Sequence, residues 1–388
     1  MSFERLTFVG GGRWASIVLK ELLRVSPCLQ VDWVCHSSFE DKKKYLKSSE
    51  IFKNVSLIDK KNYRNCKNKK IIIASHSSQH CKDLFKYANV DSKILIEKPL
   101  FSSINDFESM HTRGLKNVFI NLEFYFAYFV RDFYKEIEAI PFKKLEFIWH
   151  DPFYEKRATE KSKYSEIYSS IFLDQLLHVI SIFKVFNLTP ENFKNISVKK
   201  DNVLNSNSIK INFLSANTHI SVSLSRFASI RKRKIILNDG ELELYFSDKP
   251  LIYKNKVFER EISLSDGFFP VRETLKNFLN FPDSKEILEI STNSLLPFLR
   301  FCFKCEEKFV RSLSKDIDLL SLDKKDLKKF EPAFAYHAGI MYYQQLLRLN
   351  SSCDIHFIKG DKGLNRLKDW WLTFIESSVL NTRSNHDG

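Results

Sequence analysis

Asp174 and His178 stand four residues apart in the run Ser170-Ile171-Phe172-Leu173-Asp174-Gln175-Leu176-Leu177-His178-Val179-Ile180. On a helix that spacing puts a carboxylate and an imidazole on one face, a pair suited to moving a proton near neutral pH. The pair reads equally as a structural couple, because polar groups set among aliphatics need partners. A zinc site would want a third and a fourth ligand at suitable spacing; none follows, and no metal is expected. Glu97-Lys98-Pro99 offers a second reactive group. The proline biases Lys98 away from helix, aiming its ammonium over the end of the preceding strand. There it can hydrogen-bond a hydroxyl or carbonyl and shift its pKa when desolvated; as an isolated tripeptide it is also an ordinary surface turn.

Two further motifs would hold a ligand. Gly10-Gly11-Gly12-Arg13-Trp14-Ala15 has the spacing G-x-G-x-x-A between an apolar strand and a helix start. Gly10 permits a tight turn, Gly12 lets the backbone approach a phosphate, and Ala15 lets the helix pack on the strand. The first-turn N–H groups and the helix dipole then face the anion. Ala74-Ser75-His76-Ser77-Ser78-Gln79-His80 ends another strand and opens a helix, with His80 in its first turn. Hydroxyls there can lie along a ligand or cap the helix.

The elements that must position these residues alternate over the first 120 or so positions. Strand-like runs at 6–9, 31–35, 71–75, 94–96 and 118–121 are separated by helical stretches such as 16–25, 81–88 and 105–113. That alternation implies right-handed crossovers and a doubly wound parallel sheet, whose ligands bind beyond the carboxyl ends of the strands. Gly12, Ser75 and Glu97 then fall along one edge. Later the pattern changes: a strand at 145–150, a polar loop at 156–166, an apolar helix at 167–186, and strands at 196–200, 209–214, 219–225 and 234–237. Asn238-Asp239-Gly240 turns the last of these into 241–246 as a hairpin. Strands in succession without helices predict an antiparallel sheet. Helices at 271–280 and 291–313 pack around it, and 331–349 and 364–378 read as helical. The expected organisation is a dinucleotide-binding domain at 1–122, an α+β domain at 123–315 and a helical extension at 316–388, whose His337, Tyr342, Tyr343, Trp370 and Trp371 read as packing residues.

Composition bounds the class. With 388 residues, 44% hydrophobic and 28% charged, the chain suits two globular domains. No apolar run reaches the roughly 18 residues of a membrane-spanning helix; the stretch 122–134 is broken by Glu123 and Arg131. The start Met-Ser-Phe-Glu-Arg has no apolar leader stretch. Seven scattered cysteines argue against a disulfide framework and for a reducing cytoplasm. Cys302 and Cys305 read as core thiols on adjacent turns. The net charge of +14 is spread along the chain, and only Arg231-Lys232-Arg233-Lys234 concentrates it, opening a strand. Nucleic acid is therefore not an expected partner, while an anionic small substrate is.

Taken in register, Gly10/Gly12/Ala15, Ala74-Ser75 with His80, Glu97-Lys98-Pro99, and Asp174 with His178 resemble the glucose–fructose oxidoreductase/inositol dehydrogenase/MocA (Gfo/Idh/MocA) family over roughly residues 1–315. The resemblance implies a Rossmann domain followed by an α+β domain with a large antiparallel sheet, and an NAD(P)-dependent oxidoreductase. Hydride would pass between nicotinamide and a carbonyl or alcohol carbon of a sugar-like or nucleotide-sugar substrate. Imine reduction in natural-product assembly is one alternative; a non-catalytic cofactor-binding sensor is another. The resemblance puts Gly10, Gly12, Arg13 and Trp14 under the pyrophosphate with Ala15 packed behind, Ser75 and His80 beside the cofactor, and Glu97 near the nicotinamide ribose. Lys98 and His178 become the acid/base pair, with Asp174 positioning substrate or His178. After the second strand the chain reads Cys35-His36-Ser37-Ser38, with Lys42, Lys43 and Lys44 beyond. Hydroxyls and lysines without an acid at the strand end favour NADP(H) over NAD(H), with Ser37 and Ser38 as contacts and Glu40 or Asp41 as the acids that would reverse the preference. Ser169-Ser170 and Leu176 stand where the family often has glycine, altering the room for substrate. The antiparallel sheet implies a homo-oligomer; no membrane partner is expected.

Overall fold

The apolar runs of the first 120 residues are short, flanked by polar turns and buried on both faces, and they form a parallel sheet. The computed structural model describes residues 5–35, 39–47, 49–63, 69–100, 104–152, 154–157, 160–164, 171–201, 208–225, 228, 230–247, 251–255, 259–262, 270–281 and 283–314, and all that follows concerns these. Strands β1 (Arg5–Val9), β2 (Gln30–Cys35), β3 (Val55–Asp59), β4 (Lys70–Ile73), β5 (Lys93–Ile96) and β6 (Val118–Ile120) lie in the order β3-β2-β1-β4-β5-β6. Every neighbouring pair is parallel. Helices α1 (Arg13–Val25), α2 (Phe39–Leu46), α3 (His80–Tyr87) and α4 (Ile104–Thr112) make the connections, with α5 (Tyr128–Ile137) after the sheet. α1 buries Ala15, Val18, Leu19, Leu22 and Leu23, the stripe that 3.6-residue periodicity puts on one side. β3 was not anticipated: Val-Ser-Leu-Ile-Asp is a half-buried edge strand with little apolar alternation. β4 ends at Ile73, and Ala74 just past it still donates its N–H to the Val9 carbonyl of β1 at 2.8 Å.

The chain divides into two compact units. The first contains Met1–Ala139, Ile180–Thr189 and Ser265–Arg300, so it is completed by late segments. Among these, α7 (Pro270–Asn280) joins α1 through Arg272 Nε, which donates to buried Glu21 Oε2 at 2.8 Å. Past α8 (Lys285–Leu288), Ser291 bridges Phe119 and the Ile290 carbonyl accepts from the Ile120 N–H at 2.8 Å, both at the edge strand β6.

The second unit contains Ile140–Val179, Pro190–Leu264 and the residues described from Phe301 onward. Its main strands are β7 (Lys144–His150), β10 (Phe193–Asp201), β11 (Ser208–Ser215), β12 (Thr218–Ser225), β13 (Lys232–Leu237), β14 (Leu242–Tyr245), β15 (Leu251–Asn255) and β16 (Glu259–Ile262). They form one sheet in the order β10-β11-β12-β7-β13-β14-β15-β16. All neighbours are antiparallel except β12 and β7, which are parallel. The β13–β14 hairpin turns through Asn238, Asp239 and Gly240 at φ of 46°, 59° and 93°, residue types that tolerate positive φ. One expectation changes. The stretch expected as a polar loop contains β8 (Tyr154–Arg157) paired antiparallel with β9 (Glu160–Tyr164), a hairpin whose Glu-Lys-Ser-Lys-Tyr strand has no apolar alternation to reveal it. The apolar helix expected at 167–186 is α6, described over Ile171–Val185, and positions 167–170 lie outside the described residues.

Cys302 and Cys305 are buried free thiols on α9 (Thr292–Ser314), both raised by burial. No helix among the described residues is long and apolar enough to cross a membrane. Among them, no group of three or more His, Cys, Asp or Glu is placed to hold a metal. Ser37, Ser38, Ser169-Ser170 and the expected extension at 316–388 lie outside the described residues.

Candidate active site

At the end of β1 the chain turns through Gly10 at φ 136°, a conformation that side chains rarely adopt. A Cβ there would stand 2.4 Å from the Ala74 carbonyl oxygen and 2.8 Å from the Ser75 nitrogen. The end of β4 therefore demands glycine at this position, before any ligand is considered. Buried Trp33 fixes the turn by donating its indole N–H to the Gly10 carbonyl at 2.6 Å. Gly12 is different in kind. It caps α1 in extended conformation with no side-chain cap, the first turn holds no acid, and a Cβ at Gly12 would meet nothing within 4 Å. The leading N–H groups and the positive end of the helix dipole face this space.

Arg13 and Trp14 open α1, half-buried and 39% exposed respectively, while Ala15 is fully buried where the helix meets the sheet. Ser75 and Ser77, beyond the β4 end that touches Gly10, carry buried hydroxyls with no hydrogen-bond partner among the described residues. An uncapped helix terminus, open space at Gly12 and two orphaned hydroxyls fit a dinucleotide pyrophosphate and its ribose. From α2, Lys42 donates to Ser16 Oγ in α1 at 2.7 Å, its ammonium 5.7 Å from the Trp33 ring centroid. Burial pulls Lys42 below the ordinary lysine range, opposed by Cys35 at the end of β2 and by Asp41.

His80 opens α3 and is buried, with Nδ1 2.7 Å from the Pro99 carbonyl and Nε2 2.9 Å from the Ser75 carbonyl. Both ring nitrogens thus face backbone carbonyls, at the end of β4 and in the loop after β5; the neutral ring donates to one of them and only the imidazolium to both. Burial lowers its pKa, against the two carbonyls and Asp83. Glu97, just past β5, is buried and accepts from Asn121 Nδ2 at 2.6 Å and from the Trp14 side chain. Burial pushes its carboxyl up to about 7, although both hydrogen bonds favour the charged form. Asn121, one residue past β6, is buried with its Oδ1 unpartnered among the described residues. Lys98 is half-buried and joined to Pro99 by a cis peptide.

In the second unit, Asp174 and His178 are half-buried one turn apart on α6. The imidazole stacks on Trp149 of β7, with ring centroids 4.5 Å apart and planes 11° from parallel. Arg233, the cross-strand partner of Trp149 on β13, lays its guanidinium 4.2 Å from the indole centroid. Asp151 gathers the group: it accepts from Trp149 Nε1 at 3.0 Å, Arg233 at 3.1 Å and Gln175 at 3.4 Å, and pairs with Arg231 at 3.2 Å. Two residues of the basic run 231–234 are therefore spent on Asp151, and Lys234 pairs with Glu243 at 2.6 Å.

Gly10, Gly12, Arg13, Trp14, Ala15, Ser75, His80, Glu97 and Lys98 thus gather at the carboxyl ends of neighbouring strands β1, β4 and β5. Asp174 and His178 share a helix in the other unit. Sequence reasoning missed Trp33, Asn121, Trp149 and Asp151, and read Arg233 only within the basic run that opens a strand. Asn121 carried a signal, as a lone amide in the apolar run 118–122. The others depend on which strands become neighbours.

A six-stranded parallel sheet with crossover helices, followed by a large mixed sheet, is the two-domain fold of Gfo/Idh/MocA-type dehydrogenases. The chain is similar to the myo-inositol dehydrogenase of Corynebacterium glutamicum, with TM-score 0.59 and 14% identity over 80% of this chain and 97% of that one. It is similar to the UDP-N-acetylglucosamine 3-dehydrogenase of Acidithiobacillus ferrooxidans, with TM-score 0.53 and 10% identity over 80% and 98%. A biliverdin reductase from Synechocystis, solved with biliverdin and NADP+, aligns with TM-score 0.55 and 12% identity over 79% and 98%. At such identities the likeness is one of fold. No protein-family model and no curated protein matches the sequence.

Proposed function

We propose that this chain is a nicotinamide-dependent oxidoreductase that uses NADP(H) in preference to NAD(H), acting on a carbonyl or alcohol carbon of a sugar-like or nucleotide-linked sugar substrate. The observation that carries this reading is the uncapped start of α1 beside Gly12, with the orphaned hydroxyls of Ser75 and Ser77 at the adjoining strand end. The backbone N–H groups after Gly12 bind the pyrophosphate, and the serine hydroxyls donate to phosphate or ribose. The nicotinamide supplies hydride or accepts it.

NADP(H) is favoured by Lys42, whose burial costs its charge and whose ammonium gains from an adjacent 2′-phosphate; β2 ends on Cys35 instead of an acid. Lys98 and His178 carry the substrate proton and Asp174 orients its partner, roles assigned by the family resemblance. Fold neighbours named for an inositol and a UDP-sugar support a polyol or sugar substrate. Pairing of two copies through the eight-stranded sheet belongs to the same reading, and sedimentation tests it.

Fluorescence titration of the full chain with NADPH and NADH tests the cofactor. NADPH should bind at least about tenfold more tightly, a difference of roughly 1.4 kcal/mol, and binding of neither dinucleotide overturns the proposal. With a substrate found by co-purification and mass spectrometry, Lys98→Met and His178→Ala should each abolish turnover. Turnover retained in either variant removes that residue from the mechanism.

A further inference from the structure

His178 meets an aromatic wall that its own helix does not supply. Trp149 is fully buried, its N–H is held by Asp151 at 3.0 Å, and Phe246 meets its ring with centroids 5.9 Å apart. Arg233 is fixed beside the same ring by strand register and by its own bond to Asp151 at 3.1 Å. Asp151 also accepts from Gln175, which stands next to Asp174 and donates a second time, to the Ser225 carbonyl at 2.8 Å. One carboxylate therefore ties the indole, the guanidinium and the start of α6 together.

We propose that Trp149 and Arg233 are positioning residues for His178: the braced indole sets the plane of the imidazole. This rests on the proton-transfer role given to His178 above. An imidazole exchanges a proton only along directions in its own plane, so a half-buried ring free to rotate would spend much of its time misdirected. A parallel stack at 4.5 Å covers a ring face, not the nitrogens at its edge, and restricts rotation about the last side-chain bond. If Trp149 only filled the core, any large apolar side chain would serve. Positioning requires a flat one.

The contact is tested first, on the full chain without ligand. The emission of Trp149, taken as wild type minus Trp149→Phe, should change in His178→Gln, where the stacked imidazole is lost. An emission unaltered by that substitution would overturn the contact. Restriction is tested next, by NMR relaxation of 13C-labelled histidine. The His178 ring should be held in wild type and in Trp149→Phe, and mobile in Trp149→Leu and Arg233→Gln. Equal restriction in all four proteins overturns the positioning role, and Arg233→Gln keeps the test available if Trp149→Leu does not fold. With a substrate in hand, Trp149→Leu should lower kcat on the order of a hundredfold at unchanged KM, with Trp149→Phe restoring most of it. A chain that binds neither NADPH nor NADH would sink the oxidoreductase reading, yet the emission and relaxation data would still decide the stack.

Discussion

The two units build their candidate sites from opposite materials. In the first, backbone does most of the holding: a positive-φ glycine, an uncapped helix terminus and carbonyls that engage both nitrogens of His80. In the second, side chains do it: Trp149 of β7, Asp151 just past it and Arg233 of β13 are assembled against His178 and Gln175 of α6. A backbone site is local and announces itself as a short motif. A side-chain site exists only once strand register has brought distant residues into contact.

Substitutions at the two glycines should break this contrast most sharply. Gly10→Ala places a Cβ 2.4 Å from a backbone oxygen at φ 136°, and should cost at least about 3 kcal/mol of stability in urea denaturation. Gly12→Ala has open space and an ordinary φ, so it should cost only about 1 kcal/mol, the loss of a capping glycine, while NADPH affinity falls. If both variants behave alike, the two glycines do not have separate jobs.

Glu97 gives the next largest effect, and it depends on pH. Its folded pKa of about 7 lies above its ordinary 4.5, so the folded chain holds this proton more tightly than the unfolded chain. The associated stability is complete below about pH 4.5 and is lost as pH rises through about 7, an effect of about 3 kcal/mol at most. Glu97→Gln lacks that loss, so its stability relative to wild type should improve across this window. A constant difference from pH 4 to 8 would show that the carboxyl is not held in its neutral form.

The second unit should answer to Asp151. Asp151→Asn leaves Arg231 and Arg233, both mostly buried, without their carboxylate, and should cost about 2 kcal/mol after allowance for solvent. Unchanged stability would mean the cluster is not held through that charge. The smallest effect is expected at Lys42. Lys42→Met should cut the preference for NADPH over NADH roughly tenfold, about 1.4 kcal/mol, and an unaltered ratio would assign the 2′-phosphate to other groups.

Much of the first unit was legible because its signals are short-range. The strand, glycine turn and helix between Leu6 and Val25 follow from apolar periodicity and residue size, and Glu97-Lys98-Pro99 marks a strand end. What Gly10 is for was less legible. The demand comes from Ala74, a residue of another strand, and local reading credited the turn alone. The buried proton of Glu97 was hidden for a related reason, since it comes from burial in the assembled fold, which no local pattern states. In the second unit, the run Arg231-Lys232-Arg233-Lys234 read only as a concentration of charge opening a strand. Alternation along β13 sets Arg233 opposite Trp149, which no local pattern reveals without knowing that β13 lies beside β7. The β8–β9 hairpin escaped because its strand sequences, Tyr-Glu-Lys-Arg and Glu-Lys-Ser-Lys-Tyr, carry no apolar alternation.

The late segments that finish the first unit have a consequence for how the chain is made. Glu21 on α1 takes Arg272, and the β6 edge is met by Ile290 and Ser291. A ribosome delivers these partners only after the whole second sheet has been synthesised. The glycine turn is among the first structures to emerge, yet the sheet that carries it keeps an open edge until about residue 300 has cleared the exit tunnel. A chain that stopped before Ile290 would leave the Phe119 and Ile120 backbone at this edge without the partners that the Ile290–Ser291 link supplies.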